Sequence, residues 1–312
     1  MTNKLFRVLS MLFLSLLVLI GCGTTEEGSK ERSSNSVTVT DSTGEVSVPM
    51  NPEKVVVFDM GSLDTIKSLG KSDVVIGAPT KSIPAYLDSF KEVESVGGMK
   101  EPDLEKINQL KPDLIIISGR QESFKEDLEA IAPVLYLSVD NTKTWESTKA
   151  NINTLATIFD ATDIAKEKIE TLEKDIATIN EKASASGLKS LVTLVNEGKL
   201  SAYGEQSRFG IIHDTFGFPA VDPNIEASTH GNDVSYEYVL DKNPDVIFVI
   251  DRTKAIGGDL SKNNVAENEL VKQTTAGKNE KVISLTPDVW YLSGGGIECT
   301  ELMISDVEAA LK

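Results

Sequence analysis

The chain has 312 residues, 40% of them hydrophobic and 25% charged, with a formal net charge of −17. With glycine counted, the apolar share is that of an ordinary globular fold, which excludes wholesale disorder, a collagen-like repeat and a polytopic membrane protein. The length suits about two domains of roughly 100–150 residues. So acidic a chain also lacks the basic face that neutralises phosphates, which excludes nucleic acid as a partner.

The N-terminus reads as a signal peptide. Lys4 and Arg7 precede a run of apolar residues from Val8 to Ile20, too short for a typical membrane span and suited to a signal's apolar region. It ends in Leu19-Ile20-Gly21-Cys22, which resembles the bacterial lipobox. That resemblance implies cleavage after residue 21 and a diacylglycerol on the Cys22 sulfur. An ordinary signal peptide with an incidental cysteine is the plainer reading. Residues 22–37 follow as a lipidated tether. From 23 to 36 they hold no large apolar side chain, so they cannot bury enough surface to offset their ordering entropy. The expected location is the cell membrane, anchored by lipid and facing the outside. Export argues against cytosolic ATP- or NAD-dependent chemistry.

Residues 38–160 carry continuous apolar runs at 55–58, 74–76, 114–117 and 134–137, with helical stretches at 64–69 and 103–110 between them. Continuous rather than alternating runs suit strands buried on both faces of an α/β sheet. A second set lies at 191–195, 246–250 and 282–285, within residues 187–312. Between the sets, residues 161–186 hold one long amphipathic helix. Ile164, Ile169, Leu172, Ile176 and Ile179 form its apolar stripe, Thr162 or Asp163 is a candidate cap, and Gly187 lies just past its end. The expected fold is α/β: two Rossmann-like lobes joined by one long backbone helix, with a ligand cleft between the lobes. Such a strut resists large hinge bending. A helix lying on one lobe's surface is the alternative.

The flanking units repeat. Residues 104–120 (LEKINQLKPDLIIISGR) align without gaps with residues 236–252 (YEYVLDKNPDVIFVIDR), matching Glu105 with Glu237, Pro112-Asp113 with Pro244-Asp245, and Arg120 with Arg252. Each copy reads helix, Pro-Asp turn, buried strand, arginine. Ligands of open α/β sheets bind beyond the carboxyl ends of the strands, so both arginines are expected to face a shared cleft. The sequence has only five arginines, and Arg7 and Arg32 precede the folded part. The remaining three are Arg120, Arg208 and Arg252. Arginine's planar five-donor fork suits anionic oxygens, so the three are read as a converging anion site.

These features resemble the substrate-binding lipoproteins of ABC importers with a helical backbone, the type that takes up ferric siderophores and cobalamin. The likeness is closest to the group that binds catecholate siderophores, including receptors for petrobactin and for enterobactin fragments. It is carried by 55–64 (VVVFDMGSLD), 112–120 (PDLIIISGR), 207–210 (SRFG), 228–231 (STHG), 249–252 (VIDR) and 290–296 (WYLSGGG). The resemblance implies a monomeric receptor, not an enzyme, without a cofactor, whose ligand is an Fe(III)–catecholate siderophore and whose partners are an ABC permease and its ATPase. It implies that Arg120, Arg208 and Arg252 hold catecholate oxygens, that His230 and Tyr291 complete the iron shell of a tetradentate chelate, and that Glu105 and Glu237 dock on basic pockets of the permease. A first-turn acid at a helix dipole is the plain reading of each glutamate.

The chemistry agrees. An iron held by three catecholates carries a charge of about −3, which three guanidinium groups balance, and hard Fe(III) takes phenolate and tolerates imidazole. The sequence has two histidines, so a three-histidine site is impossible. His213, in a helix-like stretch, is read as structural and His230, in a polar loop, as the ligand candidate. Trp290 is read as lining the cleft or as core, and Cys299 as an inert thiol. Two other functions compete. One is a haem or cobalamin receptor on the same scaffold. The other is an exported phosphatase, since 55–64 also resembles the aspartyl-phosphate motif around Asp59. Gly61 stands there in place of the second carboxylate.

Overall fold

In the computed structural model, which describes residues 35–312, the apolar runs become the centres of two five-stranded sheets. The expected signal peptide, Cys22 and most of the tether lie outside the described residues. The chain enters through an antiparallel hairpin, β1 (Ser36–Asp41) and β2 (Gly44–Pro49), so strand structure starts just before the boundary expected at 38.

The N-terminal sheet is built from β3 (Val55–Val57), α1 (Met60–Ser68), β4 (Val75–Ala78), β5 (Glu94–Ser95), α2 (Leu104–Leu110), β6 (Leu114–Ile117), α3 (Lys125–Glu129) and β7 (Val134–Tyr136). Its strands run parallel in the order β5-β4-β3-β6-β7. Every residue of β3 and β6 is buried. Covered faces on both sides explain why these strands read as unbroken Val and Ile.

Two helices lead out of it, α4 (Thr144–Ile158) and the 25-residue α5 (Thr162–Ser186). The long helix stops at Gly187, whose φ of 65° supplies the left-handed cap. Its start differs from expectation, because Ala161 is the N-cap residue and no side chain caps it. The buried stripe is Ala165, Ile169, Leu172, Ile176, Ile179 and Ala183, packed on α4 and on the last long helix of the chain. Ile164 instead leaves the stripe, 45% exposed. The helix therefore both joins the sheets and seals one face of a shared core.

The C-terminal part contains β8 (Ser190–Asn196), β9 (Lys199–Tyr203), α6 (Ile211–Asp214), β10 (Asn232–Val234), α7 (Tyr236–Lys242), β11 (Val246–Asp251), α8 (Arg252–Ile256), α9 (Thr275–Lys278) and β12 (Val282–Ser284). A five-residue π-helical turn, Val289–Ser293, and α10 (Ile297–Glu308) follow. The sheet order is β10-β9-β8-β11-β12. Strands β8, β11 and β12 are parallel, while β9 and β10 are antiparallel additions.

The repeat extends into the atoms. Asp103 and Ser235 cap α2 and α7 by accepting from the backbone N–H three residues on. Both helices end on a left-handed residue, Lys111 and Asn243. The Pro-Asp turn then ties each strand to its neighbour. Asp113 accepts from the N–H groups of Glu53 and Lys54, both at 2.9 Å, and Asp245 from that of Lys189 at 3.0 Å.

One buried carboxylate crosses between chain halves. Asp64 of α1 accepts from the backbone N–H of Glu298 (3.0 Å) and Cys299 (2.7 Å), and so caps α10. Gly296 must be glycine here, since a Cβ would overlap the Asp64 carboxyl. Burial raises the Asp64 pKa to about 7, against the opposing pull of these N–H groups and the Ser68 hydroxyl. The folded chain thus holds this proton more tightly than the unfolded chain, whose carboxyl titrates at about 3.9. This contribution to stability is full below about pH 4 and is lost as pH rises through about 7. Thermal melts between pH 4 and 8 should show a fall in wild-type Tm across this window that is smaller in Asp64→Asn; parallel curves would contradict the assignment.

Candidate ligand-binding cleft

Each arginine sits where the backbone is fixed on both sides. Arg120 follows β6 in a tight turn closed by a capping box between Ser118 and Gln121. The buried Gln121 amide also donates to the Met99 carbonyl. Arg252 opens α8 directly after β11, and Asp251 caps that helix by accepting from Lys254 N–H at 2.9 Å. Arg208 lies in the loop after β9. There Asp214 accepts from Gln206 N–H at 2.8 Å, and Arg208 N–H donates to the Ser228 carbonyl at 3.2 Å.

The three guanidinium groups converge on Tyr291, in the π-helical turn. Arg120 donates to the Tyr291 carbonyl at 3.0 Å and to the Leu292 carbonyl at 3.2 Å. Arg208 donates to the same Tyr291 carbonyl at 2.6 Å and stacks 4.6 Å from the Tyr291 ring centroid. Arg252 donates through Nε to the Tyr291 hydroxyl at 2.7 Å and through Nη1 to Asn196 Oδ1 at 2.8 Å. Burial, and then the neighbouring Arg208 charge, lower the Arg120 pKa. At Tyr291 burial pulls the phenol upward, but the Arg252 hydrogen bond and the Arg252 and Arg208 charges outweigh it and leave its pKa below the ordinary value.

These groups line a cleft of about 790 Å³ together with His230, Asp59, Lys100 and Phe209, within the size range of small-molecule sites. His230 is exposed on the rim. Its backbone carbonyl accepts from the Tyr203 hydroxyl at 2.9 Å, and a Cβ on the next residue, Gly231, would stand 2.7 Å from the Tyr203 ring. The loop is therefore pinned while the imidazole makes no hydrogen bond to the described residues. Trp290 borders the cleft but is only 1% exposed, with its indole N–H spent on Asp306 at 2.9 Å. It acts as a floor. His213 is buried away from the cleft, Nδ1 2.9 Å from the Phe218 carbonyl. Asp59 is a helix cap, accepting from the N–H and hydroxyl of Ser62 at 2.7 and 2.8 Å, and burial raises its pKa. Cys299 is buried, and burial pushes its thiol well up.

Glu105 and Glu237 stand exposed in the first turns of α2 and α7. Each helix immediately precedes, across the Pro-Asp turn, the strand that leads into an arginine. Among the groups that escaped the sequence reasoning are Lys100, which lines the cleft, and Asn196, which holds Arg252. Lys100 comes from a loop without periodicity, and Asn196 ends β8 with nothing to mark it. The 132-residue offset gives no help with either, because neither falls in the repeat.

Residues 55–289 match the periplasmic binding protein family. The chain is 44% identical over 316 aligned residues, 99% of each sequence, to the petrobactin-binding protein YclQ of Bacillus subtilis. The crystal structure of YclQ superposes with a TM-score of 0.87, covering 89% of this chain and 99% of that one at 46% identity. The iron-uptake ABC transporter substrate-binding protein PiuA of Streptococcus pneumoniae gives 0.85 at 47% identity, covering 88% and 98%. The catecholate-siderophore-binding protein VctP of Vibrio cholerae gives 0.81 at 32%, covering 88% and 99%.

The electrostatics of Tyr291 can be read optically. The other five tyrosines, 86, 136, 203, 236 and 238, all have raised pKa values. A pH titration of tyrosinate absorbance should therefore show one early step, absent in Tyr291→Phe and moved upward in Arg252→Ala. An early step that survives Tyr291→Phe would contradict this.

Proposed function

The chain belongs to the periplasmic binding protein family, and we propose that it is the membrane-anchored receptor that captures an anionic ferric catecholate siderophore outside the cell and hands it to an ABC permease. The observation that carries this reading is the convergence of Arg120, Arg208 and Arg252 on the Tyr291 turn inside one cleft. Guanidinium forks bind catecholate oxygens as they bind carboxylates, by paired charge-assisted hydrogen bonds. YclQ is named for binding petrobactin and VctP for binding catecholate siderophores, which supports this. Binding, not turnover, is the task.

Three further assignments complete the reading. Cys22 is the lipidated residue, and residues 22–37 are the tether that holds the receptor at the outer face of the membrane. Two relatives, YfiY and YhfQ of Bacillus subtilis, are named as lipoproteins, which supports this. Residues 38–160 and 187–312 act as the two lobes, with 161–186 as the backbone between them. Glu105 and Glu237, exposed on equivalent helices, dock the two lobes on basic pockets of the permease, whose ATPase drives transport.

At the iron, His230 and Tyr291 supply the two ligands that a tetradentate bis-catecholate leaves open. His230 binds through a neutral ring nitrogen. Tyr291 binds as phenolate, a state already favoured by Arg252 and Arg208. A hexadentate tris-catecholate needs neither.

Two experiments test the reading. Replacing Arg120, Arg208 or Arg252 by Ala should each weaken ferric catecholate binding by roughly 1.5–3 kcal/mol, about 10- to 150-fold in Kd, with Lys restoring only part of it. Unchanged fluorescence-quenching titrations in all three would refute the shared anion site. His230→Ala and Tyr291→Phe should weaken bis-catecholate binding far more than tris-catecholate binding and shift the charge-transfer band of the bis-complex alone. Equal losses for both chelates would assign these residues to general contact.

A further inference from the structure

Beside the arginine cleft lies a second groove of about 400 Å³, bounded by the β1–β2 turn, the segment 138–140 after β7, and one face of α4. Ser138 and Val139 line the groove and the cleft alike, so the two spaces adjoin at these residues. Val139 and Ala150 contribute apolar surface to it, and its charged lining residues are Asp41 and Asp140.

Both carboxylates also hold its walls. Asp41 accepts from Thr43 N–H at 2.7 Å and from Tyr136 N–H at 3.0 Å, which locks the hairpin turn against β7. Asp140 accepts from Thr142 N–H at 2.9 Å, in the turn that opens α4. The groove is thus a fixed, negatively charged extension of a positively charged cleft.

The catechol rings of one siderophore are covalently joined. If their oxygens face the arginines, the joining chain is directed away from them and needs an exit. We propose that this groove is the subsite for that linking arm, and that it takes an uncharged or cationic arm in preference to an anionic one. The inference rests on the receptor reading above and deepens it. A chelate with an anionic iron head and a neutral or cationic arm meets complementary potential along its length, while a carboxylate on the arm meets Asp41 and Asp140. Such like-charge placement suppresses the wrong partner.

The test compares four ferric probes by titration calorimetry on the whole folded chain. One is the armless ferric complex of 2,3-dihydroxybenzoate. The others are bis-catecholates joined by an alkyl arm, by the same arm bearing a protonated amine, and by one bearing a carboxylate. Ala150→Trp, on an exposed position of α4, fills the groove. It should weaken the alkyl- and amine-armed chelates about tenfold, close to the loss of one good contact, and leave the armless complex within about twofold. Asp140→Asn, which keeps the capping acceptor, should narrow the gap between the amine and carboxylate arms, and raising the salt concentration should do the same. Equal effects of Ala150→Trp on armed and armless probes, or none on either, would overturn the subsite while leaving the receptor reading intact. Equal wild-type affinity for the amine and carboxylate arms would overturn its charge preference. Failure of the wild type to bind any of the four would overturn the receptor reading and the subsite with it.

Discussion

Three guanidinium groups brought to one tyrosine repel one another, and the way that repulsion is contained governs the rest of the cleft. Among the described residues none of the three arginines forms an ion pair with a carboxylate. Their partners are the carbonyls of Tyr291 and Leu292, the Tyr291 hydroxyl and the Asn196 amide oxygen. Neutral acceptors orient a guanidinium without cancelling its charge, whereas a carboxylate would occupy the fork and compete with an anionic ligand. Asp59, which shares the cleft, is engaged in capping α1, and burial biases it toward the neutral acid. The positive potential is left for the ligand.

The arrangement works only if the Tyr291 turn is held against both halves of the chain, because Arg120 reaches it from one sheet and Arg208 and Arg252 from the other. Asp288, just before the turn, accepts from Ala85 N–H at 2.8 Å, and Ser293 at its end accepts from the Tyr86 hydroxyl at 2.8 Å. Gly61 approaches so closely that a Cβ there would lie 3.1 Å from the Gly295 carbonyl carbon. Asp64 then caps α10, the helix that follows. A π-helical turn is an uncommon element often found at functional sites. Here its geometry presents a carbonyl and a side-chain hydroxyl of the same residue to three cations. One hydrophobic cluster runs from the N-terminal sheet through α5 and α10 to the C-terminal sheet. The arginines are therefore ordered before a ligand arrives, which lowers the entropy lost on binding.

What the sequence made legible follows from how each feature is encoded. The strands buried on both faces announced themselves as continuous Val and Ile runs, and β6 matches its run residue for residue. The repeat was visible because a Pro-Asp turn needs those residue types: a left-handed residue, then Pro, then a carboxylate bonded to the neighbouring strand's N–H. The arginines stood out through scarcity, and the structure brings all three together with His230 and Tyr291 in one cleft. The hairpin strands, β9, β10, α4 and α10 carried no comparable mark. Antiparallel strands without a continuous apolar run and helices of modest amphipathicity depend on tertiary partners for their identity. Ile164 shows the same limit within a helix. Its spacing fits the stripe, but the buried face runs one residue later, through Ala165. The residues of the Tyr291 turn were singled out, but its π-helical conformation was not legible, because long-range bonds to Ala85 and Tyr86 help hold it.

The distribution of charge also determines where the affinity for an anionic ligand must come from. The chain as a whole carries −17, so at long range it repels an anionic chelate. At physiological ionic strength that repulsion is screened beyond about 8 Å, and the arginine cluster is felt only once the ligand has entered the cleft. Electrostatic steering, which accelerates association between opposite net charges, is therefore not available to this pair. Arg120 is half-buried and pressed by the Arg208 charge, and desolvation and that charge both lower its pKa. A ligand that seats its anionic oxygens there relieves the repulsion between the guanidinium groups as it binds. The gain is made in the closed contact and appears in slow dissociation rather than fast capture. A binding protein whose task is capture followed by hand-over has use for that balance, since a bound ligand must survive the interval before transfer.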